Sequence, residues 1–257
     1  MYTAGRGKHM NMIKIELWKQ KRTIFILCIL FPLLINGLLF VDLQYRYHEY
    51  LLLHQSEYGL SNWQLIFKEQ TIFYFSELCH VMAATFVYEV FSVELKSNGW
   101  MLVVSTSYRR KKVVYGKYVI TVLAFFVFFF VDYTSLLIIG KAIGVQGKVE
   151  MALFIKSFFI QLVSAAMLTS FYVFIVCFTK RIICLIPVGC LFVFLNSALY
   201  YSDHIQFLPQ YPFTYISHGF RASGSELLIS IFVSGLLTIL FLKLSNSMLE
   251  SNRDLYA

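Results

Sequence analysis

The chain has 257 residues, of which 58% are hydrophobic, 18% aromatic and only 14% charged, with a formal net charge of +8. An average soluble domain is about 25% charged, so the composition excludes a soluble enzyme, and the density of apolar residues excludes a disordered chain. The positive charge does not point to nucleic acid, because the basic residues sit between apolar blocks, where they mark the cytoplasmic side of a membrane.

Residues Met1 to His9 are Gly-rich and polar and read as a frayed leader, with Met10 or Met12 as a candidate natural start. From Met12 to Arg22 the sequence is MIKIELWKQKR, in which Ile13 and Leu17, with Trp18 beside them, can share one face. Two readings stay open: a helix lying in the cytoplasmic interface, or a cytoplasmic extension of the first span.

A bilayer crossing needs about 20 mostly apolar residues. The first such stretch, Thr23 to Val41, carries no charge. It is too long for the apolar part of a cleavable signal, and no small-x-small cleavage site follows it. The segment Asp42 to Gln64, rich in Tyr, His and Leu, is read as an outer loop folding over the membrane surface. The second stretch, Thr71 to Phe91, is the weakest, because it holds Glu77, His80 and Glu89. The third, Tyr118 to Ile139, holds a single charge, Asp132. The fourth is Phe158 to Phe178 and the fifth Ile182 to Leu199. Between the fifth and the sixth lies Tyr200 to Gly224, with Pro209, Pro212 and the aromatic run QFLPQYPFTYISHGF. It is too broken to span and too apolar for a solvated loop, so it reads as a re-entrant or interfacial hairpin or as an aromatic-belt loop. The sixth stretch runs from about Leu227 to Leu242.

Lys and Arg set the orientation. Sixteen of the 22 basic residues lie before the first stretch, between the second and third, between the fourth and fifth, or after the sixth. Both termini are therefore expected in the cytoplasm. The predicted fold is an all-α membrane protein: a leader over 1–22 and one six-span domain over 23–257. All five cysteines (Cys28, Cys79, Cys177, Cys184 and Cys190) fall inside hydrophobic stretches without metal-ligand spacing, and read as packing residues.

The cytoplasmic segment Glu89 to Val119, EVFSVELKSNGWMLVVSTSYRRKKVVYGKYV, is the most informative. Glu94 and Lys96 lead into the turn and cap residues Ser97, Asn98 and Gly99. Trp100, Met101, Val103 and Val104 then make a short apolar stretch, which Ser105 to Ser107 interrupt before the basic run Arg109 to Lys112. Topology alone would explain the basic run, but not the apolar stretch held between two spans. A short surface helix whose apolar face docks into a groove on another protein fits these residues.

On these residues the chain resembles a permease subunit of the type-2 ABC transporter family, most like the small bacterial permeases of lantibiotic and bacitracin-type self-protection transporters. The likeness rests on Glu94, Lys96, Asn98, Gly99 and Trp100, then Arg109 or Arg110, then Lys117. They follow the family's order of acidic residue, small-residue turn, apolar stretch, basic residue and a Lys opening the third span. The family's usual Pro near Ser105 to Ser107 is lacking here. The resemblance implies an interfacial N-terminal helix, six spans and a coupling helix between spans two and three. It also implies a broken outer segment before the sixth span and a place in the bacterial plasma membrane. Its implied partners are an ATPase subunit, which holds ATP and magnesium, and a second permease, identical or different. The implied contacts with the ATPase are Glu94, Asn98, Gly99, Trp100, Val104, Arg109 and Arg110, and the implied cargo is hydrophobic or amphipathic, such as an antimicrobial peptide.

No Gly-x-x-x-x-Gly-Lys-Ser/Thr phosphate loop occurs in the chain. It is therefore expected to be a transport subunit rather than an enzyme, carrying no cofactor, with its energy supplied by another chain. Asp132 lies about fourteen residues into the third stretch, where a charge costs roughly 2.5–3.5 kcal/mol on insertion scales, so it should face protein or water. Glu77 and His80, three residues apart, share a helical face; they either line a substrate path or form hydrogen bonds between spans. Asn36 and Asn196 are read as packing residues. Export of a lipid or small drug, an intramembrane enzyme, and a non-catalytic assembly or sensor protein are the alternatives; no Glu-Glu pair or His-x-x-x-His arrangement in a span favours the enzyme.

Overall fold

The computed structural model describes residues 17–18, 20, 22–73, 75–96, 107–201, 211–218 and 224–251, and among them there is no strand. Helix α1 covers Arg22–Arg46 and continues as a π-helical turn over Tyr47–Leu51. Two short helices follow, α2 (Gln55–Tyr58) and α3 (Asn62–Ile72), then the longer α4 (Phe75–Lys96), α5 (Ser107–Ile143) and α6 (Met151–Thr179). A 3-10 turn over Ile182–Cys184 leads into α7 (Leu185–Tyr201), whose Pro187 sits in the first helical turn, where its missing N–H costs nothing. The 3-10 turn Pro212–Thr214 leads into α8 (Tyr215–His218), and α9 covers Gly224–Ser251. The protein is all-helical and multi-pass.

Four helical stretches are long and apolar enough to cross a bilayer unaided: Arg22–Leu51, Lys111–Ile143, Met151–Thr179 and Gly224–Leu249. The second predicted stretch differs most from expectation. In place of one straight helix from Thr71 to Phe91 there are two, α3 and α4, bent by 62° as in a broken span or a re-entrant turn, and the first of them already begins at Asn62. The early start has a local cause. The Ser61 hydroxyl accepts from the Gln64 N–H at 3.2 Å, while the Gln64 side chain accepts from the Ser61 N–H at 3.0 Å, a reciprocal capping box. Just upstream, α2 ends on Gly59 at φ 58°, a left-handed cap that favours glycine.

Side-chain pairs give the helix directions. Phe31 meets Phe128 at 6.2 Å between ring centroids, Asn36 meets Asp132, and His48 Nε2 donates to the Ile143 carbonyl at 2.9 Å, so α1 and α5 run parallel. Asn62 bonds the Gln146 carbonyl, Gln70 bonds Asp132, and Lys117 bonds the Val90 carbonyl. The α3–α4 path therefore runs antiparallel to α5 along its length. His80 stacks on Phe192 and Ala84 lies beneath Gly189, which makes α4 and α7 antiparallel.

Lipid is as apolar as leucine, so packing and hydrogen bonds, rather than burial from water, hold such helices together. A run of aromatics through Phe125, Phe128, Phe129, Phe75 and Phe86 fills the space between α4 and α5. Small residues let the backbones approach: Gly140 accommodates the Trp63 ring. Helix α9 packs mainly on α6 and buries Ser230, Ser234 and Ser245 while exposing Phe232, Leu236 and Ile239. All five cysteines are free thiols.

Candidate functional site

The bend between α3 and α4 lies beside a buried polar knot. Asp132 on α5 is fully buried, and its Oδ1 accepts from Asn36 Nδ2 and from Gln70 Nε2, each at 2.8 Å. Asn36 Nδ2 also donates to Ser135 Oγ at 2.6 Å and to the Asp132 carbonyl at 3.2 Å, and Gln70 Nε2 reaches Asn36 Oδ1 at 3.2 Å. Three helices thus converge on one carboxyl oxygen. Asp132 faces protein, as its insertion cost requires. Its second oxygen, Oδ2, has no hydrogen-bond partner among the described residues. Gln70 and Ser135 are members that sequence reasoning did not single out; the capping box at Ser61 was the signal that a helix would carry Gln70 inward.

Glu77 and His80 both lie on α4 and are buried, but the structure gives them different surroundings. Glu77 occupies the first turn, where a carboxylate is favoured by the helix dipole, and its Oε2 has no partner among the described residues. His80 reaches out of the helix. Because a carbonyl can only accept, His80 Nε2 is the donor to the Phe213 oxygen at 3.0 Å. The imidazole ring lies parallel to Phe192, 5.8 Å away.

The same broken segment is held a second time. Tyr133 donates to Gln161 Oε1 at 3.0 Å, and Gln161 Nε2 donates to the Ile216 carbonyl at 3.2 Å. Thr214, Tyr215 and Ile216 are buried, and burial pushes the Tyr215 phenol above its ordinary pKa. Side chains from α4 and α6 therefore satisfy backbone carbonyls that irregular structure would otherwise leave bare. His80→Phe keeps the ring against Phe192 and removes the donor. With Thr214→Cys as reporter, a membrane-impermeant maleimide should label the His80→Phe background several-fold faster than the parent. Equal rates would mean that His80 does not anchor the segment.

The third feature is the junction around residues 97–106. Asn98, Gly99, Trp100 and Val104 lie outside the described residues. Glu94 falls near the end of α4, and Arg109 and Arg110 fall in the first turn of α5. The two helices flanking the junction are tied together above it. Lys117 is fully buried and donates from Nζ to the Val90 carbonyl at 2.7 Å, with its ammonium 5.3 Å from the centre of the Phe91 ring.

At the other end of α1, Arg46 pairs with Asp42 at 3.0 Å and with the buried Glu69 of α3 at 3.2 Å. Lys68 sits 3.1 Å above the Tyr58 ring, so the start of the α3–α4 path is pinned by charge as well as by its cap. Among the described residues no three His, Cys, Asp or Glu side chains gather as a metal site. No family model, no curated protein and no solved structure matches this chain.

Proposed function

We propose that the chain is the permease subunit of an ABC exporter that moves a hydrophobic or amphipathic molecule, with ATP hydrolysed by a separate subunit docked at residues 97–106. The observation that carries this reading is the Lys117–Val90 bond. A force applied to the junction would reach α4 and α5 as one body, since a buried ammonium locks the helices on either side of it. The charged, turn-forming and apolar order from Glu94 to Arg110 supplies the docking chemistry.

Six crossings with both termini in the cytoplasm suit the helix directions. The bent α3–α4 path supplies the second. The fifth is short: the 17 residues of α7 rise about 25 Å, and the preceding 3-10 turn adds about 6 Å, which together match a hydrocarbon core of about 30 Å. Residues 211–218, between α7 and α9, then form the broken outer segment. By the same reading the membrane is the bacterial plasma membrane, and a second permease, identical or different, completes the transporter.

Two expected results test the proposal. Trp100→Ala combined with Val104→Asp should abolish co-purification with a co-expressed phosphate-loop ATPase subunit, and with it export. Retained co-purification and export would remove the docking assignment. Lys117→Met should leave the ATPase bound but reduce substrate-stimulated hydrolysis by about tenfold, because a lost hydrogen bond to a charged group is worth about 1.5–3 kcal/mol. Full stimulation in Lys117→Met would show that the lock between α4 and α5 transmits nothing.

A further inference from the structure

Residues 211–218 lie deep in the bundle, not at its end. Helices α5 and α6 are joined by residues 144–150, so Ile143 and Met151 mark the same end. At about 1.5 Å of rise per residue, Phe171 is about 30 Å along α6 from that end, and the Phe213 ring lies 5.3 Å from its ring. A second route agrees. Phe75 meets Phe128, about 22 Å along α5 from Ile143, and His80, which bonds the Phe213 carbonyl, is about 7 Å further down α4. From Phe192, beside Phe213, helix α7 runs back towards the Ile143 end, and the Ile216 carbonyl sits nearer that end, where Gln161 reaches it. The chain therefore climbs along α7, returns to Phe213 and climbs again, as a re-entrant strap.

The tip of the strap closes an aromatic ring. Phe171 of α6 meets Phe192 of α7, Phe241 of α9 and Phe213 itself edge to face at 5.2–5.3 Å, and Phe192 meets Phe213 at 4.6 Å. All four are only half-buried, unlike the fully buried Phe125 and Phe128 between α4 and α5, so they close by touching rather than by filling a core. At the same level three buried polar atoms have no hydrogen-bond partner among the described residues. They are Thr169 Oγ1 and Tyr172 OH, on either side of Phe171, and His80 Nδ1, whose ring stacks on Phe192. Buried polar groups are nearly always paired, so three orphans at one level are a cost of the closed arrangement that entering water would relieve. Against that cost stand two side-chain latches on the strap, from His80 to the Phe213 carbonyl and from Gln161 to the Ile216 carbonyl. An apolar constriction stops ions by staying dry and passes them once it is wetted. We propose that residues 211–218 are a gate: in place, Phe213 closes the aromatic ring, and when the strap withdraws, small inorganic ions cross the bundle past Gln161, His80, Thr169 and Tyr172. The gate goes beyond the export reading, because it needs this chain in a bilayer and no ATPase.

The test reconstitutes the full chain at equal copy number in potassium-loaded phosphatidylethanolamine–phosphatidylglycerol vesicles. Potassium efflux is read with an ion-selective electrode, with a protonophore to carry the compensating charge and protein-free vesicles subtracted. His80→Phe with Gln161→Leu removes both latches and should speed efflux about fivefold or more over the parent, the shift that two interhelical hydrogen bonds supply. Phe213→Ala keeps both latches, which end on backbone carbonyls, and opens the ring itself, so it should leak as well. Asn36→Leu weakens the knot between α1 and α5 without touching the strap and should stay as tight as the parent. Tight vesicles with either folded strap variant would overturn the gate, so Phe213→Ala decides it if the double variant fails to fold. An equal leak from Asn36→Leu would also overturn it, by tracing the efflux to loosened packing.

Discussion

Asn36→Leu is expected to destabilise the bundle by about 2–3 kcal/mol, measured as reversible unfolding in bicelles. Leucine fits a spanning helix at least as well as asparagine does, so the loss must come from the knot. Interhelical hydrogen bonds in bilayers average about 0.6 kcal/mol each. The substitution removes the contacts from Nδ2 to Asp132 and Ser135 and the acceptor offered to Gln70. It also leaves Asp132 buried with one donor on Oδ1 instead of two, and stripping a partner from a buried charged group costs more than the bond itself contributes. The sign of a second substitution separates these causes. Asn36→Leu with Asp132→Leu should be more stable than Asn36→Leu alone, because the stranded carboxyl has gone. A double variant that lost the sum of the two single effects would show that the residues are not coupled.

Gly140→Ala should cost about 1–3 kcal/mol, the usual penalty for forcing a methyl group into a packed interface. A Cβ at Gly140 would lie 2.7 Å from Trp63 Cη2 and closer still to Cζ3, and Ile66 stands at 3.1 Å on the same side. The indole cannot retreat easily: Trp63 is only 2% exposed and packs edge-on against Phe154 at 5.5 Å. Trp63→Phe in the Gly140→Ala background should recover most of the loss by removing the clashing atoms. Gly37→Ala is the control. Nothing lies within 4 Å of its added methyl group, so it should be neutral or stabilising by up to about 1 kcal/mol through helix propensity. If Gly140→Ala behaved like Gly37→Ala, α3 would not press on α5 at Trp63.

Those two glycines are both small residues in apolar helical surroundings, and the sequence does not tell them apart. Gly140 is needed because α3, a separate helix that begins sixteen residues after the end of α1, brings a tryptophan against it, whereas Gly37 borders a groove. The same holds for the polar residues. Asp132 could be kept away from lipid, facing protein or water, from its insertion cost alone, but its donors lie 96 and 62 positions away along the chain. His80 was legible as a buried polar group on an apolar helix. That it holds the Phe213 carbonyl, 133 residues distant, was not.

What the sequence by itself determined is local or summed along the chain. Long uncharged blocks with basic residues concentrated between alternate blocks point to an all-helical multi-pass membrane protein, because hydropathy and charge act through bilayer thickness and membrane orientation. The bend at the end of α3, the convergence of Asn36, Gln70 and Asp132, the Lys117 lock and the pairing of α1 with α5 were decided by the tertiary structure. In lipid every apolar face is equally content, so which faces meet depends on small residues and hydrogen-bonding groups whose partners are remote in sequence.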